Sequence, residues 1–298
     1  MTTDGDKVPE RAIGALGDIL RIASESPDAR EAGATAGKSL KIISDTIHTV
    51  LLPLAVVNYG VQKFQTYVSQ RFAPELQSAL AGTPAENITE PSPMIAGPTL
   101  SALVYAHEEN DIRELFIQLL ASSMDRDRKR AAHPAFVEII KGLDPGEVAI
   151  LRSVLRIGEL PVVELYTGPP SGSYRLLERD VTPLLNDQKT APEEEPLMGA
   201  YLHNWERLGL IEIDYVRSFS DKSQYDYVES RPEYQRALAR LPAELREMEE
   251  KRGDGSSVLF DQDAFLNSKP YIEKGVINVT PWGKQFASAV GVTSETED

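Results

Sequence analysis

Apolar residues recur every three or four positions through the first half of the chain. In residues 10–25 they fall at Ile13, Leu16, Ile19 and Leu20, a helical stripe that Ser26-Pro27 ends. From residue 40 to 80 the period continues through Ile43, Ile47, Val50, Leu54, Val57, Val61, Phe64, Val68, Phe72, Leu76 and Leu80. Pro53 and Pro74 are expected to kink or split this pattern, since each removes a backbone donor and clashes one turn back. Around Pro53 the residues Val50, Leu51, Leu52, Leu54, Val56 and Val57 would coat nearly the whole helix circumference. A helix apolar all round must be buried in its own fold, in an oligomer interface or in a membrane. These six are therefore the candidate interaction or membrane segment. The apolar stretch 47–61 is too short to span a bilayer alone, which takes about 20 residues.

Residues 81–97, with their prolines and glycines, read as an extended connector, and a helix is expected to start at Pro98. Residues 111–124 form the best helix, with Ile112, Leu115, Phe116, Leu119 and Leu120 on one face. A charged loop, Arg126, Arg128, Lys129 and Arg130 interleaved with Asp125 and Asp127, leads to another helix at 134–143. There His133 sits at the capping position. Asp144-Pro145-Gly146-Glu147 has the spacing of a capping box and should open a helix to about Ile157.

Beyond it the character changes. Residues 160–166 and 209–216 are β-branched runs with strand character, and 276–279 is a short strand. Residues 168–172 and 187–196 read as loops, and 197–208 as a helix. A charged helix at 232–252 should be interrupted by Pro242, and Thr280-Pro281 should cap a final helix to residue 290. The expected fold is mainly α: a tail at 1–9, a helical domain at 10–144, an α+β winged-helix-like domain at 145–290 and an acidic tail at 291–298. The winged-helix reading rests on a long helix running into GLIEI.

Composition then narrows the chemistry. The 298 residues include no cysteine, which excludes disulfides, thiolate nucleophiles and cysteine-ligated metal. Net charge is −15 and neither half is basic, so duplex nucleic acid is not an expected partner. The first residues lack the pattern of a secretory signal, and a cytoplasmic location, with membrane association on activation, is expected. His48, His107, His133 and His203 have no partner at ligand spacing, and no nucleotide-binding or serine-hydrolase motif occurs. No cofactor, metal or catalytic residue is expected.

The run LFIQLLASSMDRDRKRAAHPAFVEIIKGLDPGEVAIL, residues 115–151, resembles the abortive infection alpha family. So do EPSPMIAGPTLSALVYAHEENDIRELF at 90–116 and VINVTPWGKQFASAV at 276–290. The resemblance implies a role in bacterial defence against phage, in which an infected cell is stopped before phage are released. It carries over no catalytic residues. The expectation is a non-enzymatic sensor or effector contacting a phage or host protein, with homo-oligomerisation as a route of assembly. Two alternatives stand beside it. One is a membrane-disrupting effector that oligomerises and uses the apolar helices at 40–72; the other is an enzyme with an unrecognised site.

Overall fold

The computed structural model describes residues 67–168, 174–183, 197–252 and 269–292. Val50, Leu51, Leu52, Leu54, Val56 and Val57 lie outside these residues. So do the stripe at 10–25, the tail at 1–9 and most of the expected loops and C-terminal tail.

The described residues divide into two compact units, 67–148 with 285–292, and 149–284. The first is all helix: α1 (Ala73–Ala79), α2 (Pro93–Ala106), α3 (Asn110–Met124), α4 (Ala135–Lys141) and the start of α5 (Pro145–Ile157). A π-turn, Val68–Phe72, leads into α1. It falls where Pro74 has no N–H to offer one turn back, so the expected kink takes the form of a widened turn. α3 is the centre. It packs against α1, α2 and α4, and Leu115, Phe116, Leu119 and Leu120 are all but sealed from solvent. The fully buried Phe136 of α4 meets Phe286 edge-on at 5.3 Å between ring centres.

α2 corrects the expected connector. The helix begins at Pro93 and carries Pro98 inside it. Pro93 suits a first helical position, where no donor is needed, and Ile95, Ala96, Leu100 and Leu103 bury one side. That burial outweighs the bond Pro98 cannot make. The other side stays exposed at Met94 and Tyr105, on a helix with no charged residue.

The capping box forms as spaced. The Gly146 amide donates to Asp144 Oδ1 at 2.8 Å, and the Asp144 amide donates to Glu147 Oε1 at 2.7 Å.

The second unit holds a four-stranded antiparallel sheet in the order β2-β1-β4-β3, from β1 (Glu159–Tyr166), β2 (Leu176–Val181), β3 (Ile211–Asp214) and β4 (Tyr271–Val279). β2 was not expected, because LLERDV does not alternate cleanly. β4 is five residues longer at its N-terminal end than the apolar run that announced it, and its residues from Tyr271 to Asn278 pair with the whole of β1. α7 (Pro232–Arg252) covers one face, burying Tyr234, Ala237 and Leu241 with Val163, Leu165 and Leu177. It runs unbroken through Pro242, against the expected interruption. α6 (Met198–Arg207) packs on β2 and β3, with Trp205 fully buried. Gly209, at φ +74°, ends α6 in a left-handed turn that few other residues adopt, and the chain enters β3. Thr280 Oγ1 accepts the Gly283 amide at 2.9 Å and caps α8 (Pro281–Ala289).

Candidate functional site

In the first unit, residues 83–89 are fastened to the turn after α3. Ile88 bridges Asp125, the Thr89 amide donates to the Met124 carbonyl at 2.8 Å, and the Arg126 amide donates to the Asn87 carbonyl at 2.9 Å. Side chains add to this: Thr83 Oγ1 donates to the buried Asp125, and Asn87 Nδ2 donates to Asp127 at 2.7 Å. Asp125 also accepts the Asp127 amide at 2.9 Å, while its carbonyl takes the Lys129 amide. The charged loop is thereby a shaped turn. His133 caps α4 as expected, its Nδ1 accepting the Ala135 amide at 3.1 Å.

Between these segments lies an open cleft of about 520 Å³. Thr89, Glu90, Ser92 and Ile95 line it from one side, and Ser123, Lys129, Ala132 and Pro134 from the other. All but Thr89 fall in EPSPMI and SSMDRDRKRAAHP, parts of two of the three runs that carry the family resemblance. Ile95 is 2% exposed, and with Ala132 and Pro134 it gives the cleft an apolar part. Thr89 and Ser123 spend their hydroxyl protons on the Met124 and Leu120 carbonyls, so their lone pairs remain to receive donors. Glu90 and Lys129 are exposed, and neither enters an ion pair among the described residues. The cleft presents one charge of each sign and several acceptors. Composition announced its charged loop, but the fold alone brings Glu90 to it.

A second polar group lies in the other unit. β1 and β2 lose register between Val163↔Val181 and Leu165↔Glu178, where β2 carries an extra residue. Within that bulge Asp180 takes φ +56°, a left-handed conformation that aspartate tolerates better than most residues. Its buried carboxylate accepts Tyr215 Oη at 3.2 Å and lies 3.2 Å from His203 Nε2. Burial pushes the Asp180 carboxyl up, against the pull of His203 and the Tyr215 bond. The Tyr215 phenol is also raised, by its own burial first and then by the Asp180 charge. Beside them, Glu164 accepts Tyr166 Oη and pairs with Arg179 at 3.1 Å. His203 is half exposed, with Nδ1 3.9 Å from Glu206. The arrangement orients an imidazole between carboxylates. The sequence hides it, because Asp180, His203 and Tyr215 come from three separate elements.

Among the described residues no group of three or more His, Asp or Glu could hold a metal ion, and no helix is long and apolar enough to cross a membrane. No curated protein and no solved structure matches the chain. Residues 64–290 match the family described as abortive infection alpha. That stretch takes in the whole of the cleft, the sheet and the Asp180 group, and the chain belongs to this family.

Proposed function

We propose that this protein defends bacteria against phage by abortive infection, and that it acts without catalysis, as a sensor or effector in contact with a phage or host protein. Family membership supports the defence role. The observation that carries the mechanism is the cleft, where two family segments set Lys129 and Glu90, neither in an ion pair among the described residues, beside apolar Ile95, Ala132 and Pro134. Unpaired charge around an apolar patch is the anatomy of a recognition surface. The protein works in the cytoplasm, with homo-oligomerisation as its output step. The test is phage plating on cells that express Lys129→Glu or the unaltered chain at equal soluble levels. Loss of protection is expected; full protection by the variant would overturn the reading.

The C-terminal unit is, on this proposal, a modified winged helix. Its support is the order β1-β4-β3 with α6 leading into β3. The long insertion between β3 and β4, containing α7, replaces the usual short wing. A net charge of −15 argues against use of this unit on duplex DNA.

A second reading, an enzyme with His203 as its base, draws on the Asp180–His203 pair. His203→Ala would abolish protection under that reading and preserve it under the first. The membrane-disrupting alternative rests on the sequence of residues 50–57. Val56→Asp would remove dye release from liposomes under that alternative while leaving the soluble fold intact.

A further inference from the structure

We propose that the cleft between residues 89–95 and 123–134 takes an extended peptide segment in which an apolar side chain stands next to an acidic one. This rests on the recognition role argued above and names the chemistry of the occupant.

The size comes first. About 520 Å³ accommodates a few side chains but no folded element, and lies inside the range of about 300–1,000 Å³ for ligand sites. The lining decides the rest. Ile95, Ala132 and Pro134 offer burial to one apolar group. The Thr89 and Ser123 oxygens, with their protons already given inward, accept hydrogen bonds, and an extended peptide brings amide donors at regular intervals. A phosphate ester brings only acceptors and would face both oxygens and the Glu90 carboxylate unfavourably. Charge fixes the neighbour of the apolar group. The Lys129 side of the cleft belongs to a turn that also exposes Arg126 and Arg130, side chains without an ion pair among the described residues. In a chain of net −15 this turn is a local excess of positive charge, complementary to a carboxylate. Glu90, across the cleft, accepts a peptide amide or a basic group further along.

The experiment titrates the full chain, followed by backbone amide shifts, with acetylated and amidated hexapeptides that place one leucine beside one aspartate. Matched peptides carrying lysine for aspartate, or serine for leucine, serve as controls, as does inorganic phosphate. The leucine–aspartate peptides are expected to shift the amides of Ser92, Ile95 and Lys129, and to bind about tenfold more tightly than either control peptide. Lys129→Glu should reverse the charge preference while leaving the melting temperature unchanged, since the side chain is exposed. Equal binding of all peptides, no shift at about 5 mM peptide, or a response to phosphate alone would overturn the proposal. The two claims fail separately. Peptide binding in a chain whose Lys129→Glu variant still protects against phage would sink the recognition role and leave the peptide site. Loss of protection without peptide binding would do the reverse.

Discussion

Thr83 donates its hydroxyl proton to Asp125 at 2.8 Å, across forty-two residues of sequence, and both side chains are buried. The bond ties the segment before α2 to the turn that carries Lys129. Asp125→Ala removes this acceptor and the one that holds the Asp127 amide. A loss of about 1.5–3 kcal/mol in urea unfolding is expected, as for other hydrogen bonds to a charged group. Thr83→Val leaves a buried carboxylate short of a donor, and its effect should be non-additive with that of Asp125→Ala.

Phe136 and Phe116 are both at most 1% exposed. Truncating either to alanine is expected to cost about 3–5 kcal/mol. Phe136→Ala and Phe286→Ala should fall short of additivity, because each removes the other's edge-on ring partner. Thermal unfolding of the single and double variants measures this.

The reciprocal bonds of Asp144 and Glu147 predict two different penalties. Asp144→Ala loses an exposed cap and should cost about 1 kcal/mol. Glu147 is 1% exposed, so Glu147→Ala removes buried packing as well as the bond to the Asp144 amide, and should cost more. Chemical denaturation ranks the pair.

Gly283 has no room for a side chain. A Cβ there would run into the Leu210 carbonyl oxygen and approach Val279 Cγ1 to 2.9 Å. Backbone cannot swing aside as a flexible side chain can, so Gly283→Ala should destabilise by about 3 kcal/mol or more. A melting temperature equal to that of the unaltered chain would contradict the packing of α8 on the start of β3.

Asp180 gives a pH dependence with a definite sign. Its carboxyl holds a proton more tightly in the folded chain than in the unfolded one, because it is buried. The resulting stabilisation is present at low pH and is lost as pH rises through the raised value. Asp180→Asn removes that loss and keeps a residue that accepts the left-handed backbone. Relative to the unaltered chain, the urea midpoint of the variant should therefore rise as pH increases above the ordinary carboxylate value.

Much of the helical half was legible from spacing alone. α3, α4 and the box that starts α5 follow from apolar period and capping residues, which are local signals. α2 was misplaced because proline is read locally as a breaker, while its five buried residues are a tertiary fact. β2 was invisible for a related reason. LLERDV has no strand alternation, and its pairing depends on a bulge formed with a strand ten residues earlier. The cleft shows the same limit. Lys129 stands out by composition, but Glu90 acquires meaning only once the Thr83–Asp125 bond and the Ile88–Asp125 bridge are in place.

The first unit closes with residues from the far end of the chain. Ser122 donates to the Ala289 carbonyl at 2.7 Å, Gln285 reaches the Ala131 carbonyl at 3.2 Å, and Phe286 fills the space beside Phe136. During synthesis the helices up to residue 148 are complete long before residue 285 is made. Until then the place beside Phe136 that the Phe286 ring takes is open. Sealing of this core by Phe286 therefore comes late in synthesis, after the second unit has been made. A nascent chain halted before residue 285 lacks the Ser122–Ala289 and Gln285–Ala131 bonds and the Phe286 ring, and leaves open to solvent the apolar surface which that ring covers.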